Sequence, residues 1–243
     1  MAEREMLTQS VAPPTRHALI FDLDGVLIDS MPWHVRAWAI VLEEEGISMA
    51  REQLLRSTAG KTSFQFLREH FGAAFGEDDI DGLVARKERL FRTLYEPHVR
   101  ALPGTAALLS AARRLGFRMA IATAEPMYNM VFALERTRLG LYFDALVCAD
   151  DGVPGKPAPD MFQMAARRLA VEPQHAIVFE DALAGLTAAR NAGMFAVAVT
   201  TTLSPEEVAH RPEVLAVVRD FTDFDLELLR FPQPREPDLT VVK

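Results

Sequence analysis

The chain has 243 residues, of which 49% are apolar and 25% charged, a composition that excludes wholesale disorder or a collagen-like fibre. Its formal net charge of −8 argues against a nucleic-acid partner, because an acidic surface repels phosphate backbones. Cys148 is the only cysteine and no segment has the ~20 apolar residues that span a membrane, so we expect a cytoplasmic protein with no disulfide and no membrane partner.

The first part of the chain predicts a leader, one strand and a block of helices. Residues 1–16 include acidic residues and no apolar run, so we expect a flexible leader rather than a secretory signal. The apolar run at 17–21 predicts a buried strand. Apolar residues at helical spacing then predict an all-helical segment from 33 to 102. The predicted helices are 33–45, 63–70 and 78–95.

After Pro103 helices alternate with short apolar strands. The predicted strands are 117–122, 145–148, 176–179 and 195–200, and the predicted helices are 105–115, 128–139, 159–169 and 182–192. This alternation favours a parallel sheet with right-handed crossovers. We therefore predict an α/β fold with a Rossmann-like parallel-sheet core, 17–32 and 103–243, and a small all-helical cap domain, 33–102, inserted after the first strand. Prolines from 232 onward mark a C-terminal tail.

The motif Asp22-Leu-Asp24-Gly follows the first predicted strand directly. Acidic residues at the carboxyl end of a buried parallel strand lie where open α/β sheets bind ligands. Strand alternation sends both aspartates the same way, and neighbouring carboxylates repel each other unless a cation lies between them. The pair therefore indicates a cation-dependent site, although a capped turn explains the same residues.

Three further polar segments share this strand-to-loop position. They are Thr123, Lys156 in a Gly-Lys-Pro turn, and the acidic pair Glu180 and Asp181. Each signal is weak alone, because a threonine there is often structural and acids before a helix often interact with the helix dipole. Their common position at strand ends is what argues for one site.

In this order the motifs resemble those of the haloacid dehalogenase superfamily of phosphotransferases, and most closely its β-phosphoglucomutase and phosphatase branch. The resemblance runs from about His17 to Thr200 and includes the segments DLDGV, T, GKPAPD and EDALAGLTAARNAG. It implies a phosphoric monoester hydrolase. The expected enzyme is a Mg²⁺-dependent phosphatase of a small phosphorylated metabolite, and we expect a sugar phosphate.

The resemblance also assigns roles to individual residues. Asp22 matches the nucleophile that forms an aspartyl-phosphate, and Asp24 matches the acid/base that protonates the leaving oxygen and then activates water. Thr123 matches the hydroxyl that binds the transferring phosphoryl group, and Lys156 matches the cation that neutralises it. The matching Mg²⁺ ligands are Asp22, Asp24 through its backbone carbonyl, Glu180 and Asp181.

Further substrate-binding candidates lie in the cap and beside Thr123. His34 resembles a mutase histidine near the acid/base aspartate, although a half-buried histidine on a helix face explains it equally well. Gly60 and Lys61 resemble the specificity loop of the cap, where Lys61 would reach the distal part of the substrate or remain solvated. Substrate binding is also expected from Thr123, Ala124 and Glu125.

The chain departs from the mutase at positions that hold a second phosphate. The mutase has a basic residue before the loop glycine and an arginine three residues after it, where this chain has Ala59 and Ser63. Glu125 adds an acid where the mutase has a serine. These departures favour a phosphatase over a mutase.

Three alternatives to the phosphatase stay open at this point. A phosphosugar mutase is favoured by His34. A haloacid dehalogenase shares the core but needs no metal. The acids at 24, 180 and 181, which would bind one, argue against this alternative. A non-catalytic binding protein is opposed by the intact set of acids, lysine and threonine. A monomer or weak homodimer is expected.

Overall fold

The computed structural model describes residues 17–72 and 74–226. The predicted leader at 1–16 and the prolines of the predicted C-terminal tail lie outside these described residues. Within the two described ranges, no helix combines the length and the apolarity that crossing a membrane requires.

Among the described residues, six parallel strands form one sheet in the order β3-β2-β1-β4-β5-β6. The strands are β1 (Ala18–Phe21), β2 (Arg118–Ala122), β3 (Ala145–Val147), β4 (Ala176–Glu180), β5 (Phe195–Val199) and β6 (Val214–Val218). β1 lies between β2 and β4 and is wholly buried, which explains its unbroken apolar run. The strand order reverses at β1, so a crevice for ligands opens at the carboxyl ends of β1 and β4.

The helices of the described ranges are α1 (Met31–Glu44), α2 (Arg51–Thr58), α3 (Ser63–Phe71), α4 (Glu77–Tyr95), α5 (Thr105–Arg114), α6 (Met127–Thr137), α7 (Asp160–Leu169), α8 (Leu183–Asn191) and α9 (Pro205–Val208). Leu19 and Phe21 pack in the apolar layer that includes α5 and α6, whereas Ala18 and Ile20 pack in the layer that includes α7 and α8. Alternation along β1 therefore places an apolar layer on each face of the sheet.

Helices α1–α4 lie between β1 and β2 in the chain and share an apolar cluster of their own. Trp38, Leu54, Phe66 and Leu83 are buried in that cluster. The predicted fold class, an α/β parallel-sheet core with an inserted helical cap, is thereby confirmed. The limits of the two domains stay a prediction.

The insert contains a helix that the sequence pattern does not predict. Three helices are predicted there, whereas the described residues form four. α2 buries only Leu54 and Thr58, so no wide apolar stripe marks it in the sequence. β6 is also missed, because its residues are mostly half-buried and it pairs with β5 through an irregular register.

Candidate active site

The loop after β1 and the end of β4 bring two acids to one lysine. Phe21 lies opposite Phe179 in the sheet, so Asp22 and Glu180 follow at the same level. Lys156 Nζ donates hydrogen bonds to Asp22 Oδ1 at 2.8 Å and to Glu180 Oε2 at 2.7 Å. All three side chains are buried. Their ion pairs are therefore shielded from solvent.

Asp181 completes an acidic cluster with Asp22 and Glu180. Each of the three acids offers an oxygen within 4.8 Å of the others. Glu180 Oε1 accepts a hydrogen bond from the backbone N–H of Ala182 at 3.1 Å, and Asp181 Oδ2 accepts one from Thr201 Oγ1 at 3.2 Å. One ammonium thus faces three buried carboxylates, which leaves the cluster short of positive charge. Carboxylate oxygens are the ligands that a hard divalent cation such as Mg²⁺ prefers.

Gly185 lets helix α8 approach this cluster closely. A Cβ at Gly185 would lie 2.0 Å from Glu180 Cδ. No side chain fits at that distance, so the position requires glycine for its missing Cβ rather than for a special backbone angle. The glycine at position 185 of the fourth motif therefore leaves the space that the Glu180 carboxylate occupies.

Burial dominates the electrostatics of the cluster. It raises the pKa of Asp22, and raises that of Glu180 to about 7, against the opposing charge of Lys156. Burial and the neighbouring Glu180 together raise the pKa of Asp181. Burial alone would lower the pKa of Lys156, but the carboxylates of Asp22 and Glu180 outweigh it and raise that pKa. The lysine therefore stays charged while the acids lack enough counter-charge.

Asp24 belongs to a second polar cluster, which the insert shares. Its Oδ1 accepts a hydrogen bond from the Ser30 hydroxyl, and His34 Nε2 lies 3.2 Å from the same oxygen. Burial raises the pKa of Asp24 to about 6, against the hydrogen bond from Ser30 and the charge of Lys87. A carboxyl group with a pKa close to neutrality can both donate and accept a proton.

Lys87, on α4, sets the tautomer of His34. Its Nζ lies 2.8 Å from His34 Nδ1, and because an ammonium only donates hydrogen bonds, Nδ1 is the acceptor. His34 Nε2 then carries the ring proton and donates to Asp24. Burial and the Lys87 charge lower the pKa of His34 to about 4, so the ring is neutral near pH 7.

Glu88 neutralises Lys87 from the neighbouring position. Lys87 Nζ lies 2.9 Å from Glu88 Oε1, and both side chains are buried. Burial alone would raise the pKa of Glu88, but the Lys87 ammonium, His34 and a hydrogen bond from Ser63 outweigh it and lower the pKa to about 2. Glu88 is therefore a carboxylate at neutral pH.

The loop after β2 places its three predicted residues under the insert. Thr123 is buried, and its Oγ1 accepts a hydrogen bond from the backbone N–H of Glu125 at 3.2 Å. Ala124 is buried between them. Glu125 Oε2 accepts a hydrogen bond from Asn129 Nδ2 at 2.5 Å. Burial raises the pKa of Glu125 to about 7, with His34 opposing.

The loop between α2 and α3 rests on the core. Gly60 has φ +73°, and a Cβ there would lie 3.1 Å from Ala182 Cβ. The side chain of Gln65 reaches the core as well, where Nε2 donates to the backbone carbonyl of Lys156 at 3.4 Å. The insert therefore covers the loops that carry the acidic cluster.

Lys61 lines a small cavity beneath the insert. The other lining residues are Met31, His34, Trp38, Thr58, Thr62, Ser63, Phe66, Lys87 and Glu125. Lys61 Nζ donates a hydrogen bond to the partly exposed Glu69, and the predicted alternatives of a solvated or a substrate-directed lysine both stay predictions. The cavity, of about 20 Å³, has room for about one water molecule.

Residues 17–193 match the family model of haloacid dehalogenase-like hydrolases. The chain belongs to the haloacid dehalogenase-like hydrolase family. The resemblance inferred from the four motifs is thereby confirmed. The matched range contains all of the predicted catalytic and metal-ligating residues, whose individual roles stay a prediction.

Named relatives of this hydrolase include phosphatases and a mutase. Validoxylamine A 7'-phosphate phosphatase of Streptomyces hygroscopicus subsp. limoneus is 33% identical over 84% of this chain and 93% of the relative. Hexitol phosphatase A of Escherichia coli (strain K12) is 37% identical over 74% and 81%, respectively. The structure of β-phosphoglucomutase from Clostridium difficile covers 88% of this chain and 96% of its own, with a TM-score of 0.77 and 27% identity. The prediction of a phosphoric monoester hydrolase is confirmed by the family match and the phosphatase relatives.

Four residues of the polar network around Asp24, His34 and Glu125 are absent from the sequence prediction. They are Ser30, Lys87, Glu88 and Asn129. Lys87 has a usable signal, because it lies on the buried face of α4 with Leu83 and Phe91. A lysine in an apolar stripe is almost never fully buried without a partner. The other three carry no comparable signal in the sequence.

Proposed function

We propose that this hydrolase is a Mg²⁺-dependent phosphatase that acts on a small phosphorylated metabolite, a sugar phosphate, through an aspartyl-phosphate. The observation that carries the proposal is the position of Lys156 Nζ, 2.8 Å from Asp22 Oδ1 and 2.7 Å from Glu180 Oε2. A lysine held there neutralises both an attacking carboxylate and the oxygens of a phosphoryl group. The similarity to a hexitol phosphatase supports the substrate class.

The first step transfers the phosphoryl group to the enzyme. An oxygen of Asp22 attacks phosphorus while the bond from phosphorus to the leaving oxygen breaks. Protonated Asp24 gives its proton to the leaving oxygen, which departs as an alcohol. Lys156 and the Thr123 hydroxyl bind the phosphoryl oxygens and orient the group for attack.

The second step releases inorganic phosphate. Asp24, now a carboxylate, takes a proton from a water molecule as the water oxygen attacks phosphorus. The bond between phosphorus and the Asp22 oxygen breaks, which returns Asp22 to a carboxylate and Asp24 to its acid form. His34 holds Asp24 through the Nε2 contact of 3.2 Å in both steps.

The acidic cluster fits a Mg²⁺ ion by charge and by donor type. Asp22, Glu180, Asp181 and the backbone carbonyl of Asp24 would hold the ion. When bound, Mg²⁺ supplies positive charge that offsets the repulsion between the Asp22 carboxylate and the phosphate.

A phosphosugar mutase is the second candidate, because the structure resembles β-phosphoglucomutase and His34 contacts Asp24. The ion pair of Lys61 with Glu69 and the carboxylate of Glu125 oppose it. Conversion of β-glucose 1-phosphate faster than phosphate release would decide for the mutase.

The proposal is tested by phosphate release from p-nitrophenyl phosphate and from a panel of sugar phosphates with Mg²⁺ present. Asp22→Asn is expected to lower kcat by about 1000-fold or more, because an amide is not a nucleophile at phosphorus. Asp29→Asn is the matched control, since Asp29 pairs with Arg100 at the surface. Retention of more than about a tenth of the activity in Asp22→Asn overturns the proposal.

A further inference from the structure

Both lysines that line the cavity beneath the insert are neutralised by acids of the insert itself. Lys61 donates a hydrogen bond to Glu69, and Lys87 lies 2.9 Å from Glu88. Both ammonium charges are therefore already paired, that of Lys61 with the partly exposed Glu69 and that of Lys87 with the buried Glu88. The second pair is fully buried, so water does not take over the role of either partner.

On the side of the cavity formed by the core, Glu125 is a hydrogen-bond acceptor that is held in a fixed position. Asn129 Nδ2 donates to Glu125 Oε2 at 2.5 Å and to Glu88 Oε2 at 2.7 Å. Arg92 Nη1 donates to Asn129 Oδ1 at 2.8 Å, which fixes the orientation of the amide. Asn129 therefore holds two buried carboxylates in place, and Glu125 Oε1 is directed toward the side of His34, 3.9 Å from Nε2.

The proposed reaction puts the leaving group in this cavity. Asp24 protonates the leaving oxygen in that scheme, and Asp24, His34 and Glu125 each offer an atom within 4.8 Å of the others. A hydroxyl group of the leaving group can donate to a carboxylate such as Glu125. Among the described residues that line the cavity, a second phosphate meets the carboxyl group of Glu125 and two lysines whose charges are already paired, so a desolvated second phosphate lacks a free counter-charge.

We propose that Glu69 and Glu125 are specificity-determining residues that admit uncharged, hydroxyl-bearing leaving groups and exclude a leaving group with a second phosphate. Glu69 acts by occupying Lys61, and Glu125 acts by presenting an acceptor to the leaving group. The enzyme therefore takes sugar or polyol monophosphates and rejects bisphosphates. This inference rests on the proposed phosphatase function.

The test compares kcat/KM for fructose 6-phosphate and fructose 1,6-bisphosphate in the wild type and in Glu69→Gln, Glu125→Gln and the double variant. The wild type is expected to prefer the monophosphate by about 100-fold or more, and the double variant to narrow that ratio by at least about tenfold. Glu69→Gln alone is expected to raise kcat/KM for the bisphosphate relative to the monophosphate, because the substitution frees Lys61 from its ion pair. Glu52→Gln is the matched control on the insert surface, where Glu52 is exposed and pairs with Arg56.

The substrate p-nitrophenyl phosphate separates this inference from the proposed function. If the wild type hydrolyses neither this ester nor any phosphate ester of the panel, the phosphatase function itself fails. If it hydrolyses this ester but treats both fructose phosphates alike, or if Glu69→Gln and Glu125→Gln leave the ratio unchanged, the specificity inference fails alone. Glu69→Gln decides the question if Glu125→Gln does not fold, because Glu69 is solvent-exposed.

Discussion

His34 Nε2 lies 3.2 Å from Asp24 Oδ1, so a side chain of the helical insert contacts the predicted acid/base of the core. A lysine of α4 fixes the opposite nitrogen of the same ring at 2.8 Å. The insert therefore does more than cover the site, because in the proposed mechanism it also orients the group that would move the proton. We expect cap closure and proton transfer to be coupled through this contact.

Replacing Lys87 tests this coupling. Lys87→Met removes the donor to His34 Nδ1, so the ring no longer has a fixed tautomer with which to orient Asp24. We expect kcat/KM for a sugar phosphate to fall about tenfold more than kcat/KM for p-nitrophenyl phosphate, whose leaving group needs no proton. Arg89→Met, at an exposed position of the same helix, is the control. Equal losses on both substrates would show a purely structural role.

Glu88 makes stability depend on acid pH. Its pKa is lowered from 4.5 to about 2, so the contribution of its carboxylate is complete above about pH 4.5 and is lost as pH falls toward 2. Glu88→Gln is expected to lower the free energy of unfolding at pH 7 by about 3 kcal/mol, because Lys87 is left buried without its partner. Urea denaturation between pH 3 and 7 measures both effects. As the pH falls, the free energy of unfolding of the variant should decrease less than that of the wild type. An unchanged pH profile would contradict the assignment.

Gly185 has no room for a side chain beside Glu180. A Cβ there would lie 2.0 Å from Glu180 Cδ, so Gly185→Ala is expected to displace the carboxylate and reduce kcat by about 100-fold. Gly82→Ala is the control, since nothing lies within 4 Å of a Cβ at that helical position. The control should keep full activity and raise stability by up to about 1 kcal/mol. Wild-type activity in Gly185→Ala would show that Glu180 is not held as described.

Metal binding is testable without activity. Because one ammonium faces three buried acids, Mg²⁺ is expected to raise the melting midpoint, and a chelator to reverse the shift. Asp181→Asn should lose most of the Mg²⁺-induced shift, whereas Asp29→Asn should keep it. Thermal unfolding with and without Mg²⁺ measures this. A shift of equal size in both variants would argue that the ion binds elsewhere.

The sequence was sufficient to predict that Asp22, Lys156 and Glu180 lie close together. Asp22 follows β1, Glu180 ends β4 and Lys156 precedes α7, and the carboxyl ends of parallel strands share one edge of a sheet. The resemblance of the motifs to a known family then predicted the role of each residue, which the periodicity of apolar residues alone does not predict. The observed contacts at 2.8 and 2.7 Å agree with that expectation.

The polar contacts beneath the insert could not be predicted from the sequence in the same way. Glu88 and Asn129 are 41 positions apart in the sequence and meet only through packing of α4 against the core. The ion pair between Lys61 and Glu69 depends on how the loop before α3 turns, which no local pattern specifies. Such pairings are set by tertiary structure, so a single sequence predicts the residue types but not the partners.

The central claim, that Asp22 accepts the phosphoryl group, is tested most directly by the Asp24→Asn variant. With p-nitrophenyl phosphate the first step needs no acid, whereas release by water still needs the missing base, so the phosphoenzyme should accumulate. Mass spectrometry of the acid-quenched protein is expected to show one added phosphoryl group on the peptide that contains Asp22, and none when Asp22 is also replaced by asparagine. An unmodified peptide, or a phosphoryl group on any other residue, would contradict the account.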